Sequence, residues 1–181
     1  MIDELKDAPD RAAAVQLGAY VDSMLTHTLT NLIRTDVPEA MKARILRSTF
    51  KEKNDALFVL KITDERTYQN LEIIREIRNA FAHSARLITF ETPEVVEAVE
   101  ELEDDGKGLN SEGNEHLSSA RAKFTSCCFR SILTVMFRNI GKKMDMIGQV
   151  MEALTPYLNE NLRPHAERVA RSVEALKNFR L

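Results

Sequence analysis

Six glycines and five prolines are all that punctuate 181 residues. A fold of many short strands needs turn residues about every 8–12 positions, and so sparse a supply argues against one. The abundant residues are instead Ala, Leu, Glu, Arg and Lys, which cost least in a helix. The chain is long enough for one substantial core and short for two. With 44% hydrophobic and 29% charged residues it has the balance of a folded globular protein, not a disordered one. The expectation is an all-α fold: a single helical bundle of about six to eight helices spanning residues 1–181.

Apolar spacing marks the elements. Ala14, Leu17, Val21, Met24, Leu25, Thr28 and Leu32 form one stripe at helical period. Asp7 is the candidate cap, Pro9 and Asp10 suit the first turn, and the helix should end near Asp36–Pro38. A short segment with Met41, Ile45 and Leu46 follows. Leu57–Ile62 fits a buried strand or a helix end, and helix is preferred because no second strand stands nearby. Thr63 is the expected cap of a helix carrying Leu71, Ile74, Ile77 and Phe81. Ala85–Thr92 reads as a linker. Thr92 and Pro93 open a helix with Val95, Val96, Val99 and Leu102 inside. A long helix over Glu115–Ile140 buries Leu117, Ala120, Phe124, Cys127, Ser131, Val135 and Met136, with Gly141 as a potential break. Met144, Ile147, Met151 and Leu154 mark a further helix, and Val169, Val173 and Leu176 a last one after Pro164.

Charge and cysteine usage exclude several function classes. The net charge is −3, without the basic footprint of a general nucleic-acid binder. Glu91–Glu115 holds ten acidic residues and one Lys, a local charge of −9, and includes the Gly-rich loop Asp104–Asn114. That loop lacks EF-hand spacing. Arg121, Lys123, Arg130, Arg138, Lys142 and Lys143 make the long helix basic. This face either meets nucleic acid or lies against the acidic segment. The adjacent Cys127 and Cys128 sit on an apolar helix face as inert core thiols, with no disulfide framework. His27, His83, His116 and His165 show no metal-ligand spacing, so neither metal nor cofactor is expected. No apolar run reaches the ~18 residues of a membrane span, and the polar start MIDELKDAPD does not read as a signal peptide. A cytoplasmic protein is expected.

The stretch with chemical potential is RNAFAH, Arg78–His83. Asn79 and His83 are four apart and share a helix face, whereas Arg78 lies about 140° round from His83. One straight helix therefore cannot aim both at one point. They converge if the helix ends at Ala82, or if Arg78 of one chain meets His83 of another. Arg offers a planar fork for phosphate oxygens, His exchanges a proton near neutrality, and Asn can fix the imidazole tautomer. Such a trio could cut RNA without a metal, because the 2′-hydroxyl is a built-in nucleophile. The structural alternative is a His favoured by the helix dipole, beside an Arg and an Asn that bond a neighbouring loop.

Leu71–Phe90, LEIIREIRNAFAHSARLITF, resembles the signature of the MltR family, named for the mannitol-operon repressor. Asp10–Leu25, DRAAAVQLGAYVDSML, is similar to that family's first helix. The likeness covers about residues 10–140 and leaves 141–181 as a C-terminal helical extension. The hexapeptide also resembles the Arg-x4–6-His pattern of the wider HEPN superfamily of helical bundles. That resemblance implies a homodimer in which Arg78, Asn79 and His83 would form a metal-independent endoribonuclease site. Three functions are therefore carried forward. The first is an MltR-like regulatory or interaction protein, acting on transcription through a partner, a protein or an RNA, rather than by direct DNA binding. The second is a HEPN-type endoribonuclease acting on RNA. The third is a nucleotide-binding module with Arg78 and His83 as phosphate ligands. No helix-turn-helix pair is evident, so direct operator DNA binding is not expected.

Overall fold

The computed structural model describes residues 7–103 and 119–154, together with position 171. The described residues form an all-α bundle of six helices without a strand: α1 (Asp10–Leu32), α2 (Glu39–Leu46), α3 (Phe50–Val59), α4 (Glu65–His83), α5 (Pro93–Glu100) and α6 (Ala120–Leu154). Two compact units are distinguished, Met1–Met136 and Phe137–Leu181, and α6 runs from the first into the second.

The first unit is organised on α4. Its apolar residues Leu71, Ile74, Ile77 and Phe81 are all buried, as the 3–3–4 spacing requires. The helix packs against α1, α3 and α5, while α1 also meets α2 and α3. From α1 the core receives Ala13, Ala14, Leu17, Val21 and Leu25, and from α6 it receives Phe124, Cys127, Cys128 and Val135. A run of tilted rings, Phe81–Phe90 at 4.9 Å and Phe90–Phe124 at 5.4 Å between centroids, carries packing from α4 through the linker to α6. Phe90 thus anchors the Ala85–Thr92 connection, which contains no strand.

Helix ends differ from several expectations. Asp7 makes no capping bond; Pro9 occupies the cap position and Asp10 is the first helical residue. The first helix ends at Leu32, earlier than Asp36–Pro38, where Ile33 turns extended after bonding Leu29. In α2 no residue is buried, and Met41 is exposed. Asp64, not Thr63, caps α4 by accepting from the Thr67 amide. The reason lies upstream. α3 closes with Ile62 N–H donating to the Leu57 carbonyl and Lys61 N–H to that of Phe58, a Schellman arrangement. This draws Ile62 and Thr63 into the interior, so Lys61 turns left-handed at φ 56° and the next helix begins one residue late. Leu57–Val59 end a helix, as preferred from the sequence.

α6 passes straight through Gly141. A lone helical glycine costs about 1 kcal/mol relative to Ala, which strong helix formers on both sides outweigh. The expected helices on either side of Gly141 are consequently one. Of the residues assigned to its buried side, Phe124, Cys127, Ser131 and Val135 are buried, whereas Met136 is exposed. Leu117, the loop Asp104–Asn114 and the helix after Pro164 lie outside the described residues.

Candidate functional site

Arg78 and Asn79 line a cleft of about 510 Å³ with Asp22 of α1, Arg75 of α4, and Ser48, Thr49, Phe50 and Lys51 at the start of α3. Three physical facts build it. The first is a close approach of α1 to α4: a Cβ added to Gly18 would stand 2.8 Å from the Arg78 Cβ and 2.5 Å from its Cγ. The absent side chain is what lets the Arg78 stem lie across α1. The second is the capping box of α3. Thr49 Oγ1 accepts from the Glu52 amide, and the Glu52 carboxylate accepts from the Thr49 amide at 2.7 Å. This fixes the rim of the cleft and directs the N-terminal end of α3 toward it. The third is an ion pair between Lys53 Nζ and Asp22 Oδ1 at 2.8 Å, with Lys53 buried, which ties α3 to α1 beneath the cleft.

The cations of the cleft are not equivalent. Arg75 is held by Glu72 at 3.1 Å and Glu76 at 3.3 Å. Lys51 lies 3.6 Å from Asp55 and 3.7 Å from Glu72, and those two carboxylates push its ammonium pKa upward. Arg78 has no carboxylate within ion-pair distance among the described residues; its Nη1 donates to Asn79 Oδ1 at 2.8 Å. One bond to an amide leaves most of its five N–H donors unused.

His83 stands elsewhere. It is the last residue of α4, exposed, and absent from the cleft lining. The Asn79 oxygen that could have fixed its tautomer is engaged by Arg78. Thus one chain brings Arg78 and Asn79 together and leaves His83 apart, as the five-residue offset on a straight helix demands. The helix does not end at Ala82, so that route to convergence is closed.

The C-terminal end of α4 is secured by residues read only as a helix start. Arg11 donates to the carbonyls of Ala82 at 2.9 Å and Ser84 at 3.2 Å, satisfying orphaned helix-end acceptors. Its neighbour Asp10 accepts from the Phe90 amide at 2.9 Å and from Arg121 at 2.8 Å. Asp10 and Arg11 therefore clamp the hexapeptide's end, the linker and α6 together. Their adjacency before an Ala-rich helix was visible; their reach across more than 70 residues was not. Gly18, a glycine inside a strong helix, and Thr49-x-x-Glu52, a capping-box spacing, were the legible signals for the cleft that pattern reading passed over.

The remaining candidates resolve simply. Neither cysteine is in a disulfide, and both are buried. Burial first, then the neighbouring Cys127, pushes the Cys128 thiol well above its ordinary range, as befits an inert core thiol. Arg121 pairs with Asp10, and Lys123 donates to the carbonyl of Glu100 in the acidic segment. His27 bonds Asn31 at 3.0 Å. His116 and His165 lie outside the described residues. No group of metal-ligating side chains occurs among the described residues. No described helix is long and apolar enough to cross a membrane. Compared with family models, curated proteins and solved structures, the chain matches none.

Proposed function

We propose that this chain is a non-enzymatic regulatory protein of the MltR type, a cytoplasmic homodimer that acts through a protein partner and not by reading operator DNA. The observation that carries the reading is the separation of Arg78 from His83. The guanidinium lies in the α1–α3–α4 cleft beside Asn79, and the imidazole is not part of that lining. A general base must come within hydrogen-bond reach of the proton that it removes, and within one chain His83 does not line the cleft that holds Arg78. The hexapeptide does structural work instead: Phe81 fills the core, and the Ala82 carbonyl receives Arg11.

The test is direct. Wild-type protein incubated with single-stranded RNA in EDTA leaves it intact. Arg78→Ala lowers the melting temperature, and the exposed His83→Ala does not. Metal-independent cleavage that disappears in both variants overturns the proposal in favour of the HEPN-type endoribonuclease, with His83 supplied by a second copy. A gel shift with the neighbouring promoter at about 150 mM salt shows no discrete complex. Light scattering reports twice the 20.6 kDa chain mass.

A specific observation favours a second reading, a phosphate- or nucleotide-holding module. Arg78 points most of its donors at no described carboxylate, and Lys51, Ser48 and Thr49 share its cleft. His83 plays no part in this version. Calorimetric titration with a nucleoside triphosphate then gives saturable binding that Arg78→Ala abolishes and His83→Ala leaves unchanged.

A further inference from the structure

Two opposite charges share the α1–α3–α4 cleft without pairing. Arg78 of α4 commits one N–H donor, to Asn79 Oδ1, and its stem lies over Gly18 of α1. Asp22 is one turn further along α1 on the same face and lines the same cleft. Its Oδ1 accepts from the buried Lys53 at 2.8 Å, while Oδ2 has no donor among the described residues. The other cations of the lining are engaged, Arg75 by Glu72 and Glu76, and Lys51 by Asp55 and Glu72. The guanidinium of Arg78 and the second oxygen of Asp22 are therefore what the cleft leaves for a ligand. Phe50 is the one apolar residue of the lining, and it is buried in the core, so no aromatic face is offered to a nucleobase.

We infer that this cleft holds inorganic phosphate as the hydrogen phosphate ion, with Arg78 binding its oxygens and Asp22 accepting the ion's own proton in a hydrogen bond. The inference rests on the phosphate-holding reading and names its ligand. The planar guanidinium fork matches two oxygens of a tetrahedral anion. The Asn79 amide nitrogen, left over once Oδ1 faces Arg78, adds donors on the same helix. A carboxylate in an anion cleft repels most anions, and that repulsion is a source of selectivity. Hydrogen phosphate carries a P–O–H that donates to a carboxylate oxygen. Sulfate and the phosphodiester of a nucleic acid carry no such proton near neutrality, and each would set acceptor against acceptor at Asp22 Oδ2. A phosphate monoester loses its last proton with a pKa of about 6, so above that range it is disfavoured on the same ground. The ion pair with Lys53 holds the Asp22 carboxylate in place. Arg78 thus supplies the affinity and Asp22 the choice of ligand, and the bound ion bridges α4 to α1 beside the close approach at Gly18.

Calorimetric titration of the full chain at low salt and about pH 8, above the monoester pKa, tests this with four probes: sodium phosphate, sodium sulfate, methyl phosphate and ATP. Phosphate binds saturably with a Kd on the order of 1 mM or tighter. Sulfate and methyl phosphate bind at least about tenfold more weakly, and ATP binds no tighter than phosphate. Lowering the pH through about 6 returns a proton to methyl phosphate and strengthens its binding toward that of phosphate. Arg78→Lys, which keeps the charge and loses the fork, weakens phosphate at least about tenfold with an unchanged far-UV circular dichroism spectrum. Asp22→Asn brings phosphate and sulfate to similar affinity; should that variant fail to fold, the four probes on wild type still decide the question. Equal affinity of wild type for phosphate and sulfate is the mark of an unselective anion site, and it removes the inference while leaving the phosphate-holding reading. ATP bound more tightly than phosphate, with adenosine as a competitor, makes the cleft a nucleotide site and likewise removes the inference alone. Phosphate binding unaffected by Arg78→Lys places the ion outside this cleft and removes both. Binding of none of the probes also removes both.

Discussion

Replacing Gly18 with alanine probes the contact on which the cleft depends. Ordinary carbon–carbon contacts lie at about 3.5–4.0 Å. The new Cβ would stand 2.5 Å from the Arg78 Cγ and 2.8 Å from the Arg78 Cβ, short by roughly 0.7–1 Å. The Cγ can swing aside, but the Cβ is fixed to the α4 backbone, so α1 and α4 must part. Overpacking of this kind costs about 1–3 kcal/mol, and the gain in helix propensity returns about 1 kcal/mol. The expected net loss is about 0–2 kcal/mol, a fall in Tm of up to roughly 8 °C, measured by urea and thermal denaturation. Gly141→Ala is the control. Nothing lies within 4 Å of a Cβ there, so the same propensity gain appears alone, as a rise of about 1 kcal/mol in stability. If Gly18→Ala stabilises as much as Gly141→Ala, α1 and α4 do not touch at Arg78 and the cleft as described is wrong.

Three further outcomes follow from local physics. Lys61→Gly relieves the left-handed residue of the α3–α4 turn. That strain is worth about 1–2 kcal/mol and is offset by roughly 0.5–1 kcal/mol of glycine entropy; a modest gain in urea midpoint is expected, and a loss would refute the turn geometry. The Glu52 carboxyl is held below its ordinary pKa of 4.5, first by the Thr49 amide and then by the Thr49 hydroxyl. A carboxyl depressed in the folded state stabilises it above the unfolded pKa and ceases to as the pH falls through the folded one. The melting-temperature gap between wild type and Glu52→Gln should therefore be full at neutral pH and close below the normal glutamate range. A gap independent of pH would remove the charged capping box. Cys127 and Cys128 are buried, so a thiol reagent should label neither in the native protein and both after unfolding; rapid native labelling would show the core opening there.

Much of the bundle is decided by local sequence. Scarce turn residues and 3–4 apolar spacing suffice for helices at α1, α4, α5 and α6, because a face that repeats every 3.6 residues can be buried only as a helix. Leu71, Ile74, Ile77 and Phe81 are legible as core for that reason, and they are buried. The five-residue offset of Arg78 and His83 already implied that one helix cannot converge them. Tertiary structure decided what spacing cannot encode. Thr63 is a good cap by type, yet the Schellman turn of α3 pulls it inside and gives the role to Asp64. Asp10 and Arg11 look like first-turn residues, yet their bonds go to Phe90, Arg121, Ala82 and Ser84. Gly18 looks like a weak point in a helix and is where α4 lays Arg78 across α1. In each case the partner is remote in sequence. Helical periodicity reports only which face is buried, whereas which group a polar side chain meets depends on how the helices are packed.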